Sequence, residues 1–280
     1  MTNTSILKAA TFLVGGILAA TGAVLAQVPE DYVERGASLP CLDEVYTLRV
    51  HVIAPSPSDP DTEFRPASFD SMVALANAAF SPICVGFEVC EVLDLENYRY
   101  AADSVERRRE RRALYTDPRR IDVFVTFAAG AEPYGQATFL GIGQLDTAYI
   151  DIPRNRVFGT SKALVHELGH YFGLYDTFES DAFGEERVLR TNCEIAGDLV
   201  CDTPADPYDP DDSFREPQDY VARNNPCRFA SSDRDAVGQA YVAHTANAMS
   251  YYADECYCGL TAGQLRRVAA AIEAVERGVF

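Results

Sequence analysis

Eleven residues in the second half of the chain, His166-Glu167-Leu168-Gly169-His170-Tyr171-Phe172-Gly173-Leu174-Tyr175-Asp176, constrain the rest more than any other stretch. On an α-helix, residues four apart leave the same face one turn from each other. His166 and His170 have that spacing, so their imidazoles can share one Zn²⁺ at about 2.0–2.1 Å, with Glu167 beside the open position of the metal. The lead-in Ser161-Lys162-Ala163-Leu164-Val165 opens a helix, with Thr160 or Ser161 as N-cap. Gly173 stands where the helix should stop, because glycine accepts the left-handed conformation of a sharp turn. That turn would bring Asp176 back as a third ligand. Two imidazoles, one carboxylate and a water make a catalytic site rather than a closed structural one. A bare His-Glu-x-x-His also arises by chance in unrelated chains; the helix-forming lead, the turning glycine and the ligand-type residue beyond it give the motif its weight here. His51 and His244 are the remaining histidines. His51 reads as a half-buried strand residue and His244 as the alternative third ligand.

The first residues do not read as part of a globule. Lys8 is followed by an uncharged apolar run from Ala9 to Ala26, ending Val24-Leu25-Ala26. That is a basic n-region, an apolar h-region and a small-residue cleavage site. The expectation is a signal peptide over residues 1–26, secretion to an extracellular or periplasmic space, and no stable membrane association after cleavage. An uncleaved anchor is the other reading of a run barely long enough to span. In an exported protein the eight cysteines are expected to form disulfides, and none falls in the Cys-x-x-Cys spacing of a thiolate zinc site. A net charge of −18 repels nucleic-acid phosphates and anionic lipids, which excludes both as expected partners.

Residues 27–44 read as a short leader or pro-segment. Cys41 within it has two readings, a disulfide partner or a thiolate that blocks the metal in a latent form. Val45–Ile53 is β-branched and alternating, a first strand. Ser68–Phe80 has helical apolar spacing, and Ile83–Val92 reads as a second strand. Cys84 and Cys90 bracket that strand, whose extended geometry keeps them from pairing with each other. The basic island around Arg107–Arg112 reads as a solvated helix or loop, or a site of proteolytic nicking. Ile121–Phe127, Gly135–Leu140 and Thr147–Ile152 are further strands. From Tyr175 to Met249 periodicity fades. Asp198, Asp202, Asp206, Asp209, Asp211 and Asp212 form either a solvated acidic loop or a Ca²⁺ site, since calcium takes six to eight oxygen ligands. A final helix opens with Thr261 and Gln264 at capping-box spacing, and Leu260 and Leu265 fit a hydrophobic staple.

The segment His166–Asp176 is similar to the extended zinc motif of the metzincin metallopeptidases, and Asn247-Ala248-Met249-Ser250-Tyr251 resembles their Met-turn. With Gly197–Pro204 and Leu260–Arg267 in the same order, residues 45–280 resemble the pappalysin-like branch. The resemblance implies an α+β zincin: a twisted, mixed sheet with a backing helix and an active-site helix (residues 45–173), above an irregular C-terminal subdomain ending in a helix (174–280). It implies zinc held by His166, His170 and Asp176, with Glu167 as general base. Met249 would lie beneath the metal, and Tyr251 would hydrogen-bond the oxyanion. The outer, antiparallel strand near Gly135–Leu140 would pair with an extended protein or peptide substrate. It further implies disulfides tying the irregular part, Cys193 with Cys227, and Cys201 with Cys256 or Cys258.

One departure stands out. Pappalysin-like enzymes carry histidine where this chain has Asp176, although other metzincins such as the snapalysins use aspartate there. The expected activity is hydrolysis of peptide bonds by a secreted zinc endopeptidase. The rival is a secreted zincin-like domain that binds a partner or matrix without catalysis, a role that has no need of Glu167 or Tyr251.

Overall fold

A computed structural model describes residues 39–53, 64–95, 105–117, 119–126, 136–137 and 149–277. The signal peptide expected over 1–26, and most of the leader after it, lie outside these residues. The chain order is β1 (Glu44–Ile53), α1 (Pro66–Phe80), β2 (Val85–Leu95), α2 (Val105–Tyr115), β3 (Ile121–Thr126), β4 (Gln136–Ala137), β5 (Tyr149–Pro153), α3 (Ala163–Tyr171), β6 (Val221–Ala222), β7 (Asn225–Phe229) and α4 (Ala262–Glu276). Among the described residues no helix is long and apolar enough to cross a membrane.

Five strands form one sheet in the order β2-β1-β3-β5-β4. All neighbours run parallel except β4, which is antiparallel to β5 at the sheet edge. Both faces are covered, as a parallel sheet requires, and every residue of β3 and β5 is buried. One face carries Leu48, Val50, Val52, Ile121, Val123, Val125, Ile150 and Ile152, which join α1, α3 and α4 in the main core. The opposite face is partly polar. Arg49 and His51 on β1 both reach Asp122 on β3, each at 2.7 Å. His51, expected to be half-buried, is therefore fully enclosed, stacked on Phe124.

The basic island is not simply solvated. It forms α2, and Arg111 is 2% exposed, its guanidinium paired with Asp151 on β5 and lying over the Phe124 ring. A buried guanidinium needs such a partner, since taking an isolated charge out of water costs several kcal/mol.

The lower half is held by hydrogen bonds and disulfides rather than by sheet. Cys41 pairs with Cys84, and Leu42 N–H donates to Ile83 O, so the end of the leader is stitched to the α1–β2 junction. No thiol remains at Cys41 to block a metal. The expected pairings, Cys193 with Cys227 and Cys201 with Cys256 or Cys258, are replaced by Cys193–Cys201 and Cys227–Cys256. The reason is local. Gly197 and Leu199, both at positive φ, fold the segment back on itself until Cys193 and Cys201 lie 5.0 Å apart at Cα, within bridging range. Cys227 on β7 instead faces the short turn at Asp254–Cys256. Cys90 and Cys258 are free.

α4 is capped as expected: Thr261 accepts from Gln264 N, and the Gln264 side chain returns the bond. Its start is pinned by Asp202, which accepts from Thr261 Oγ1 and Gly263 N.

The two halves meet at Gly169. A Cβ there would overlap Met249 Sδ, and Met249 is fully buried. Glycine is thus required by close approach of the lower half to α3. Gly169→Ala should lower unfolding free energy by about 1–3 kcal/mol through overpacking, and adding Met249→Ala should recover part of the loss because both changes act on one space. Urea denaturation of the two variants checks this; a single variant as stable as the parent would refute it.

Candidate metal centre

α3 begins without the expected side-chain cap: Lys162 is the N-cap residue and makes no side-chain capping bond. Ser161 Oγ accepts only from Ala163 N, at 3.3 Å, and Thr160 is exposed. The helix ends as the glycine suggests. Gly173 has φ +90°; Gly173 N–H donates to His170 O and Leu174 N–H to Gly169 O, the paired bonds of a Schellman turn.

This turn brings three candidate ligand atoms together. His166 Nε2 lies 3.1 Å from His170 Nε2, and Asp176 Oδ1 is 3.3 Å from the first and 3.5 Å from the second. Atoms about 2.0–2.1 Å from one tetrahedral zinc are about 3.3–3.4 Å from each other, so the spacing fits that ion. The other ring nitrogens are committed: His166 Nδ1 to Ala248 O and His170 Nδ1 to Leu174 O, both at 2.9 Å. A carbonyl only accepts, so each Nδ1 carries a proton and each Nε2 of a neutral ring presents a lone pair inward. Three lone-pair atoms so close need positive charge between them. Without a metal, a proton supplies it. Burial opposes charge on His170, yet Asp176 reverses this and lifts its pKa to about 9. Burial pushes His166 down to about 3. Burial also opposes charge on Asp176, but the two imidazoles hold its pKa below the usual carboxylate range.

Glu167 is 1% exposed, and its charge is felt at His170. The Tyr251 ring stands 5.5 Å from the His166 ring, wedged against Phe178 and Tyr208. Met249 lies against α3 at Gly169, the residue before His170. Neither His51 nor His244 joins the cluster; among the described residues, only His166, His170 and Asp176 form such a group. A cavity of about 450 Å³ adjoins the site through Tyr251, with Arg156, Glu216 and Asp254 on its walls.

The six aspartates of the acidic stretch do not gather on one ion. Asp202 caps α4, Asp206 accepts from Thr177 Oγ1 and Tyr252 OH, and Asp209 and Asp212 cap exposed turns. Asp198 instead adjoins a residue that carried no motif, Glu186. This carboxyl is 5% exposed, neither oxygen has a hydrogen bond, and it lies across Gly197. Burial, then the neighbouring Asp198, pushes Glu186 up to about 8, and burial pushes Asp198 up to about 7. No sequence signal singles out Glu186, nor the carbonyls of Ala248 and Leu174, which every residue type supplies equally.

Comparison with known proteins agrees with this geometry. Residues 144–273 match the peptidase family M43 model, described as pregnancy-associated plasma protein-A. An extracellular metalloprotease of Pyricularia oryzae is 25% identical over 233 residues, covering 78% of this chain and 71% of that protein. One of Verticillium alfalfae is 27% identical over 232 residues, covering 78% and 72%. In fold, the chain resembles mature mirolysin of Tannerella forsythia, solved with a cleaved peptide, at a TM-score of 0.60 and 14% identity over 87% of this chain and 96% of that one. Family match, relatives and fold agree: residues 144–273 are similar to the pappalysin family of peptidases, the fold is that of mirolysin, and together they support a zinc metalloendopeptidase.

Proposed function

We propose that this chain is a secreted endopeptidase whose zinc is held by His166, His170 and Asp176, with Glu167 as general base. The observation that carries this reading is the convergence of two Nε2 atoms and Asp176 Oδ1 within 3.1–3.5 Å. Zinc bound there supplies a Lewis acid for the scissile carbonyl and acidifies a water. Glu167 takes the proton of the attacking water and delivers it to the leaving amine. The Tyr251 hydroxyl donates a hydrogen bond to the oxygen that becomes negative during attack. Met249 supports the ligand rings from below without binding the metal. β4, on the open edge, pairs with an extended peptide, so main-chain bonds hold the substrate and side chains select it.

Export is part of the proposal. Residues 1–26 act as a signal peptide, residues 27–44 as a leader, and 45–280 as the catalytic domain, divided near Gly173. Three disulfides suit an oxidising compartment, and the relatives are named extracellular. We further propose a calcium ion beside Glu186 and Asp198. A buried carboxyl pair without hydrogen bonds on one member is stabilised by a hard cation with oxygen ligands.

Glu167→Ala should bind zinc like the parent and lose nearly all hydrolysis of a protein substrate; metal analysis and a casein digest read both. Full activity would remove Glu167 from the mechanism, and a parent that binds zinc but cleaves nothing would favour a binding domain. Zinc binding near pH 7 should release about one proton, because His170 is protonated in the metal-free site and must lose that proton to bind. Calorimetry in buffers of different ionisation enthalpy measures it, and no proton release sinks the shared-proton account. For calcium, EGTA should lower Tm and added Ca²⁺ should restore it, the added stability amounting to about 2.7 kcal/mol at one hundred times Kd. Glu186→Gln should abolish that increment and leave zinc content unchanged. A Tm indifferent to EGTA excludes the calcium site.

A further inference from the structure

One buried cation takes no part in the mechanism above. Lys162 is 0% exposed at the N-cap of α3. Its Nζ donates to Asn247 O at 3.3 Å and to Ser250 Oγ at 3.4 Å. Ser250 Oγ also donates to Asn247 O, at 2.9 Å. Burial pushes the Lys162 pKa down to about 7, opposed by Asp254, Asp176 and Asp206 and aided by Arg156. A lysine kept inside against such a penalty calls for a reason beyond packing.

The reason lies in the spacing. Lys162 and His166 are four residues apart, so they share a face of α3 one turn from each other. They reach two consecutive carbonyls of the same turn: Lys162 holds Asn247 O and His166 Nδ1 holds Ala248 O. The far side of that turn is fixed separately, by Asn247 Nδ2 on Gln264 and by Ala248 N on Gly259 O. Helix and turn are therefore clamped at two adjacent points. The Ala248 carbonyl, which decides which nitrogen of His166 is free, cannot shift while its neighbour is gripped.

We propose that Lys162 is a positioning residue that locks the Met-turn in register with α3 and thereby fixes the ring orientation and tautomer of His166. It touches neither substrate nor metal. Partners of this kind, one shell out from a ligand, are typically worth 10–100-fold in metal affinity.

The proposal rests on His166 being a ligand, and the experiment separates the two. Lys162→Met keeps the length of the side chain and removes its donors. Zinc Kd by chelator competition, the visible spectrum of the cobalt-substituted protein and the Tm of the metal-free form are measured on parent and variant. The expected result is a folded variant with zinc Kd raised about 10–100-fold and a shifted cobalt spectrum. A folded variant with parental Kd and parental spectrum overturns the proposal, as does a lower metal-free Tm with both metal readouts unchanged. Should Lys162→Met fail to fold, Ser250→Ala decides. It removes the hydroxyl that shares Asn247 O with Lys162, and it should weaken zinc binding several-fold with a spectral shift in the same direction; parental values there overturn the proposal. A parent that binds no zinc refutes the ligand assignment itself.

Discussion

Three consecutive carbonyls hold this protein's two halves together. Asn247 O is held by Lys162 at the start of α3, Ala248 O by His166 in its middle, and Met249 O by the N–H of Thr177, which follows Asp176. Each bond joins the segment from α3 to Thr177 to the turn at Asn247–Met249, and between them Met249 fills the space that Gly169 leaves open. A main-chain carbonyl has two lone pairs and a fixed direction, so three in succession determine a position far better than three flexible side chains would. The candidate ligands inherit their geometry from this clasp.

The sheet supplies the rigid wall against which the clasp works. Its two faces are built on different principles. One is aliphatic and merges with α1, α3 and α4 into a common core. The other buries an ionic set, Arg49, His51 and Asp122, beside the Arg111–Asp151 pair brought in by α2. Buried ion pairs contribute little net stability, but losing one partner is expensive because the other charge is stranded. The arrangement therefore specifies where α2 docks more than it strengthens the fold.

Charge governs the site itself. The chain as a whole is strongly acidic, yet the candidate metal centre contains only one carboxylate, Asp176, which feels the charges of two imidazoles and of Lys162. The loop carboxylates nearby are occupied elsewhere, as helix cap, turn cap or acceptor of a tyrosine hydroxyl. Asp206 ties two segments of the chain together. It accepts from Thr177, next to Asp176, and from Tyr252, next to Tyr251, so the loop after α3 and the segment after Met249 share one buried anchor.

Much of this was legible in the residues alone. The four-residue spacing of His166 and His170, the turn at Gly173 and the capping box of α4 are local, and local geometry follows from helix periodicity and backbone freedom. The strands were legible for the same reason, since β-branched alternation marks β1 and β3 wherever they pair. What escaped was set by contacts distant in the chain. The disulfide partners depended on how Gly197 and Leu199 fold a segment without periodicity. The burial of Arg111 and His51 depended on which face of the sheet α2 covers. The proton positions on both histidines depended on carbonyls at Ala248 and Leu174, groups that every residue carries and no side chain advertises. Sequence determined which atoms are available to bind an ion, because helix pitch is the same in every protein. Only the tertiary structure decided where they point, because direction is imposed by bonds across eighty residues of chain, about the separation of Ala248 from His166.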